Sequence, residues 1–259
     1  MAPAAAAARP RAWFERWFDE HYLALYPHRD GAEAERLVAL VAARTRLART
    51  ARVLDLCCGA GRHLAAFAGR LERPPVGLDL SPALLAAASR GLGDAAALVR
   101  ADVRALPFAP ASFDLVTSLF TSFGYFERDA EHLALLAAVA RAVRPGGWFA
   151  LDFLNAPRVR ATLVPHDERR VRGHHVVQER AIESGGRYVV KRIHVYRGDG
   201  GPPLAAEERV RLYTPDELAE LLARAGLRVQ AACGDYDGGP LTSASPRCVL
   251  FARRAAPGH

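Results

Sequence analysis

Near the N-terminus, Trp13, Phe14, Trp17, Phe18, Tyr22 and Leu25 recur at helical intervals, which places them on one apolar face. The segment Tyr26-Pro27-His28-Arg29-Asp30-Gly31 breaks that pattern, and Leu37, Leu40, Val41 and Leu47 form the stripe of a second helix. From there the chain alternates short apolar runs with helical stretches, the signature of a parallel sheet with crossovers. Strands are expected at Val53–Leu56, Val76–Asp79, Ala95–Arg100, Phe113–Ser118 and Trp148–Phe153. Helices are expected from Gly61 to about Leu71, after the cap Ser81 with Pro82 at the first position, and from Asp129 to Val143. Arg144-Pro145-Gly146-Gly147 supplies the stop for the last of these.

Between Arg169 and Tyr213 this rhythm is lost. Val171–Ile182 and Arg187–Tyr196 are β-prone and separated by Ser184-Gly185-Gly186, a hairpin signal, with Glu207–Tyr213 as a third strand. Thr214 and Glu217 then form a capping box for a helix that ends at Gly226. Leu227–Ala232 and Cys248–Arg253 are the last two strands. The division this predicts is a helical cap over 1–50, a nucleotide-binding core over 51–165, an antiparallel insertion over 166–213 and the end of the core over 214–259.

A chain of 259 residues, half of them hydrophobic, can bury a sizeable core unaided. The net charge of +7 invites a nucleic-acid partner. However, the arginines are scattered and Lys191 is the only lysine, so a solvated basic surface is expected, with no nucleic-acid partner. No apolar run reaches the ~20 residues of a membrane helix, and the alanine-rich start lacks the pattern of a signal peptide; a soluble, cytoplasmic protein is expected. Cys57, Cys58, Cys233 and Cys248 show neither C-x-x-C nor zinc spacing. Reduced thiols and no metal follow.

The chemistry concentrates in Asp55-Leu56-Cys57-Cys58-Gly59-Ala60-Gly61, directly after a strand and opening a helix. Such a turn presents free backbone N–H groups to a ligand, and Gly59 and Gly61 permit close approach. Asp79 closes the next strand, where a carboxylate can accept both hydroxyls of a ribose. Asp102 follows the third strand, where it can accept from an adenine amine with Val103 beside the ring. The dinucleotide fingerprint needs a third glycine, and Leu64 stands there instead. A NAD(P)-dependent oxidoreductase is therefore the weaker reading.

From Val53 onward the sequence resembles a class I S-adenosylmethionine (SAM)-dependent methyltransferase. The glycine loop, Gly77-Leu78-Asp79-Leu80-Ser81, Ala101-Asp102, Phe113–Val116 and Leu136–Val143 before Arg144-Pro145-Gly146-Gly147 match its motifs in order. A narrower resemblance is to bacterial small-molecule methyltransferases with Phe120–Phe126 after strand four and a β insertion after strand five. Cys57 departs from the pattern, standing where many members have the loop's first glycine. The resemblance implies an α/β, Rossmann-like seven-stranded sheet in the order 3-2-1-4-5-7-6, its last strand antiparallel. It implies SAM as cofactor, held by Asp55, Cys57, Gly59, Gly61, Asp79, Leu80, Asp102, Val103 and Leu119, with Tyr22 and Arg29 at the methionine end.

The acceptor implied is a small molecule, its methylated atom (N, O or C) open. His28, Phe123, Tyr125, Asn155, Tyr213 and Asp237 are the expected pocket residues, and no general base stands out. A protein or RNA methyltransferase is the alternative within the class; the NAD(P)-dependent oxidoreductase and a SAM-binding module without catalysis are those outside it. Thr117-Ser118-Leu119-Phe120 lacks the Asn/Asp-Pro-Pro-aromatic segment of many base-amine methyltransferases.

Overall fold

The computed structural model describes residues 12–26, 31–197 and 201–255. Three helices come first: α1 (Trp13–Trp17), α2 (Glu20–Leu25) and α3 (Gly31–Thr45). The apolar face predicted over Trp13–Leu25 is thus carried by two short helices. The break falls at Asp19, whose side chain accepts from the backbone N–H groups of His21 and Tyr22 and so starts a new helix. The core follows as β1 (Val53–Leu56), α4 (Arg62–Ala68), β2 (Val76–Asp79), α5 (Pro82–Leu92), β3 (Ala97–Arg100), β4 (Phe113–Ser118), α6 (Asp129–Ala142) and β5 (Val143–Leu154). β5 begins earlier than the sequence suggests and takes in the Arg-Pro-Gly-Gly stop. A short helix, α7 (Ala156–Thr162), not foreseen in the sequence, follows with Pro157 in its first turn.

Next come β6 (His166–Val171), β7 (His174–Glu183), β8 (Tyr188–Tyr196) and β9 (Leu204–Arg211), which form a four-stranded antiparallel sheet in that order. The sequence suggested three strands. β6, His-Asp-Glu-Arg-Arg-Val, sits at the sheet edge, and only its last residue is apolar. The chain closes with α8 (Pro215–Arg224), β10 (Leu227–Cys233) and β11 (Arg247–Arg254). Thr214 and Glu217 make the expected capping box of α8.

The main sheet has the order β3-β2-β1-β4-β5-β11-β10. Its first five strands are parallel, and β11 is antiparallel to both neighbours, as the resemblance implies. Strand side chains alternate between faces. Leu54, Val116 and Leu151 pack under Leu136 and Val139 of α6 and Leu222 of α8. Val53, Leu115 and Ala150 pack under Leu37 and Val41 of α3 and Phe67 of α4. A third cluster joins Trp17, Leu25 and Tyr26 to Val176, Ile193 and Val195 of the antiparallel sheet and Leu84 of α5. The N-terminal helices therefore bridge the two sheets. No helix among the described residues is long and apolar enough to cross a membrane.

Candidate cofactor and acceptor site

At the C-terminal ends of β1, β2, β3 and β4 opens a cavity of about 1260 Å³, covered by α1, α2 and one face of the antiparallel sheet. Ligands of open α/β sheets bind at such strand ends, where the strand order reverses; here that point lies between β1 and β4.

Its floor is the loop after β1. Cys57, Gly59 and Gly61 have φ of +54°, +56° and +85°. For Cys57, a side chain in the left-handed region costs about 1–2 kcal/mol, in the place where glycine was expected. At Gly61 a Cβ would come within 2.6 Å of the Leu92 side chain, so glycine also lets α4 and α5 approach. Asp79 accepts from Gly59 N–H and Ser81 N–H, each at 2.8 Å, one at each carboxylate oxygen. A carboxylate offers about four lone-pair sites, so acceptor capacity remains beyond these two bonds. Burial pushes the Asp79 pKa up, against the backbone donors of Ser81, Gly59 and Leu80.

Asp102 faces Arg104, whose backbone N–H (2.8 Å) and guanidinium donate into its carboxylate. The hydrogen bond to Asp102 is the main cause raising the Arg104 pKa. Arg104 also reaches Glu15 at 3.2 Å and packs over Phe14 and Phe126, tying α1 to the rim. Leu80, Val103 and Leu119 line the wall beside these groups. Asp55 is 1% exposed and lies beneath the loop, outside the wall. Its Oδ1 accepts from the Thr117 hydroxyl at 2.7 Å, and its Oδ2 is buried without a partner.

Over the cavity, Trp13, Phe14, Phe18, Tyr22 and Tyr125 make an aromatic wall, with ring centroids 4.8 Å apart for Trp13–Tyr125 and Phe18–Tyr22. Facing it, β7, β8 and β9 supply Arg180, Val189, Lys191, Glu208 and Val210. Lys191 pairs with Glu208 at 2.5 Å and donates to the Tyr26 hydroxyl at 3.1 Å. Trp17 Nε1 donates to Glu208 at 2.8 Å. Burial, with the Glu208 charge behind it, holds the Tyr26 phenol well above its usual range.

Of the residues expected from sequence, Tyr22, Phe123 and Tyr125 reach the wall; Phe123 is 2% exposed and packs mainly on His132, Phe153 and Tyr213. Three others lie outside the wall. The Tyr213 hydroxyl donates to Asp129 at 2.9 Å and meets His132 Nδ1 at 2.9 Å inside the core. Asn155 donates to the carbonyls of Thr242 and Ser245, at 2.9 and 2.7 Å, pinning the loop before β11. Asp237 belongs to a turn in which its N–H bonds Asp235 at 2.9 Å. Each is polar and flanks a strand end; the Tyr213 hydroxyl and the Asn155 amide nitrogen are spent on the scaffold, and Asp237 is exposed in its turn. His28 and Arg29 lie outside the described residues.

Sequence reasoning missed a network below the β4 loop. Phe120 and Thr121 have φ of +56° and +64°, two consecutive left-handed residues that are not glycine. Asp152, fully buried, holds them there. Its carboxylate accepts from Phe120 N–H (2.9 Å), Tyr236 hydroxyl (2.8 Å) and Arg247 Nε (2.8 Å), and its carbonyl accepts from Thr121 N–H (3.0 Å). Arg247 also donates to the Thr121 hydroxyl at 2.9 Å. No residue in the network is unusual in type. The one signal missed at this site elsewhere was Lys191, the lone lysine, which sits in the acceptor wall.

Residues 53–147 match the family described as "Methyltransferase domain". A dTDP-3-amino-3,4,6-trideoxy-alpha-D-glucopyranose N,N-dimethyltransferase of Streptomyces venezuelae is 33% identical over 81% of this chain and 86% of its own. A dTDP-4-amino-2,3,4,6-tetradeoxy-D-glucose N,N-dimethyltransferase of Saccharopolyspora spinosa is 30% identical, over 80% and 82%. Among solved structures, a SAM-bound amino pentose methyltransferase from Micromonospora echinaspora superposes with a TM-score of 0.69 at 29% identity, over 91% of this chain and 97% of that one. The chain belongs to the class I SAM-dependent methyltransferases. Within that class it is of the bacterial kind that methylates small molecules, and its cofactor is SAM.

The residues present suit that cofactor. Asp79 keeps acceptor capacity beyond its backbone donors for ribose hydroxyls, the glycine loop leaves its backbone open, and Asp55 Oδ2 is a buried carboxyl oxygen without a partner beneath the loop.

Proposed function

We propose that this methyltransferase acts on the amine nitrogen of a small amino sugar carried by a nucleoside diphosphate. The observation behind nitrogen is the state of the cavity's carboxylates. Among the described residues, Glu15 and Asp102 are held by Arg104, Glu208 by Lys191 and Trp17, Asp19 by its helix cap, and Asp79 by backbone N–H groups. His63 is neutral, its pKa pushed down to about 3 by burial. Transfer to a hydroxyl or a carbon needs a base to take a proton, whereas a neutral amine brings its own lone pair. The amino-sugar methyltransferases among the relatives support the same reading, and the aromatic wall suits the flat face of a nucleotide base.

When bound, SAM supplies a methyl made electrophilic by its sulfonium. In this reading Asp79 would take the ribose hydroxyls, Leu80 and Val103 flank the adenine, Asp102 faces its amine, and Leu119 and Tyr22 line the methionine chain. The N-terminal helices and the antiparallel sheet exclude water and align the amine.

The test offers the purified protein SAM with dTDP-linked amino sugars and with their hydroxyl counterparts, and follows methylation by mass spectrometry. One or two methyl groups on the amine and none on the hydroxyl are expected, with a rate that rises as the acceptor's ammonium loses its proton. Transfer to the hydroxyl alone would refute the nitrogen assignment. Transfer only to a peptide amine would keep nitrogen and remove the sugar.

A further inference from the structure

The cofactor's amino-acid end needs a partner for its carboxylate. Arg62 opens α4, lines the cavity and lies with its guanidinium 4.1 Å from the centre of the Phe120 ring, just past the end of β4. Nη1 donates to Glu33 of α3 at 2.8 Å, while Nη2 is buried with no partner. An unpaired buried donor on a charged group is costly, so its persistence points to a ligand. Position identifies which end of the ligand. Asp102 and Asp79 stand at the ends of β3 and β2, and the sheet runs on through β1 to β4. A nucleoside seated on the first two carboxylates carries its other end to the β1–β4 crevice, where Arg62 lies. Beneath that crevice Asp55 Oδ2 is another unpaired buried atom, on a group whose ionised form carries the opposite charge.

We propose that Arg62 holds the α-carboxylate of the cofactor through Nη2, while the buried Asp55 carboxylate draws the α-ammonium to the opposite side. An orphaned cationic donor in the crevice and an orphaned carboxyl oxygen beneath it fit a zwitterion better than either half of it alone. Asp55 acts through its charge and Arg62 by contact, since only Arg62 lines the wall. The assignment concerns the cofactor and does not rest on the acceptor.

The test compares two ligands by calorimetry: S-adenosylhomocysteine and its decarboxylated counterpart, with hydrogen in place of the carboxylate. Wild-type protein is expected to prefer the former by about tenfold or more, the value of one charge-assisted bond in a buried site. In Arg62→Gln that preference should fall to near unity while affinity for the decarboxylated ligand stays put. Arg62→Lys should keep part of it. An equal loss for both ligands would show that Arg62 only shapes Phe120 and would overturn the proposal. An undiminished preference would overturn it too, and pass the carboxylate to another cation such as Arg29. Should Arg62→Gln fail to fold, the wild-type preference still decides, because equal affinity for the two ligands refutes it.

Discussion

Asp55 shows how much one buried residue can store. Burial pushes its pKa up from the ordinary 3.8 to about 7; the Thr117 hydrogen bond works against this, Asp79 adds to it and Arg62 opposes it. Cys57 and Cys58 beside it are neutral, their own pKa values raised by burial. Because the folded value lies above the unfolded one, the folded protein binds the extra proton between the two. Stability should therefore fall as pH rises from about 4 to 7 and level off above, a total of about 4 kcal/mol. Ligand affinity runs the other way, since below pH 7 the neutral carboxyl no longer attracts an ammonium. Urea denaturation and S-adenosylhomocysteine titration across this range are expected to show opposite slopes, and Asp55→Asn should flatten both. Slopes retained in that variant would assign them to other groups. The motif alone located Asp55, but the missing partner at Oδ2 is a property of the packed site.

At the scale of elements, the loop after β4 is shaped by residues from three separate places in the chain. Asp152 of β5, Tyr236 before β11 and Arg247 at the start of β11 converge on Phe120 and Thr121. Left-handed backbone at two bulky residues persists only where surrounding bonds impose it. Asp152→Ala would leave Arg247 with its buried charge uncompensated. A loss of about 3–5 kcal/mol is expected in denaturant unfolding, larger than for Asp152→Asn, which keeps an acceptor for Phe120 N–H. Equal and small losses would show that the network contributes little. Elements with strong local signals were readable beforehand, among them the capped α8 and the β7–β8 hairpin at Ser184-Gly185-Gly186. β6 was not, because an edge strand with half of its residues exposed has no apolar alternation to betray it.

Across the whole molecule, closure of the cavity depends on α1, α2 and the residue that follows, where Trp17, Leu25 and Tyr26 cover Val176, Ile193 and Val195. A chain beginning at Gly31 should keep the seven-stranded sheet, because both faces are packed by α3, α4, α6 and α8. It should lose methyl transfer and expose the apolar face of the antiparallel sheet, read as a rise in binding of a hydrophobic dye beside a far-ultraviolet circular dichroism spectrum that loses only the contribution of the two short helices. Unchanged dye binding would mean that the helices do not provide the cover.

What the sequence determined alone is the part governed by local rules. Strand and helix periods, caps and the glycine turn are read within a few residues of one another, so they marked the α/β core, and the ordered motifs marked its cofactor. The tertiary structure decided everything that depends on residues distant in the chain. It turned Tyr213 and Asn155 to scaffold bonds, left Asp237 exposed in a turn, set Lys191 against Glu208 and Tyr26, and brought Arg62 over Phe120. A polar side chain serves whichever partner the fold presents first, and that choice is made in three dimensions.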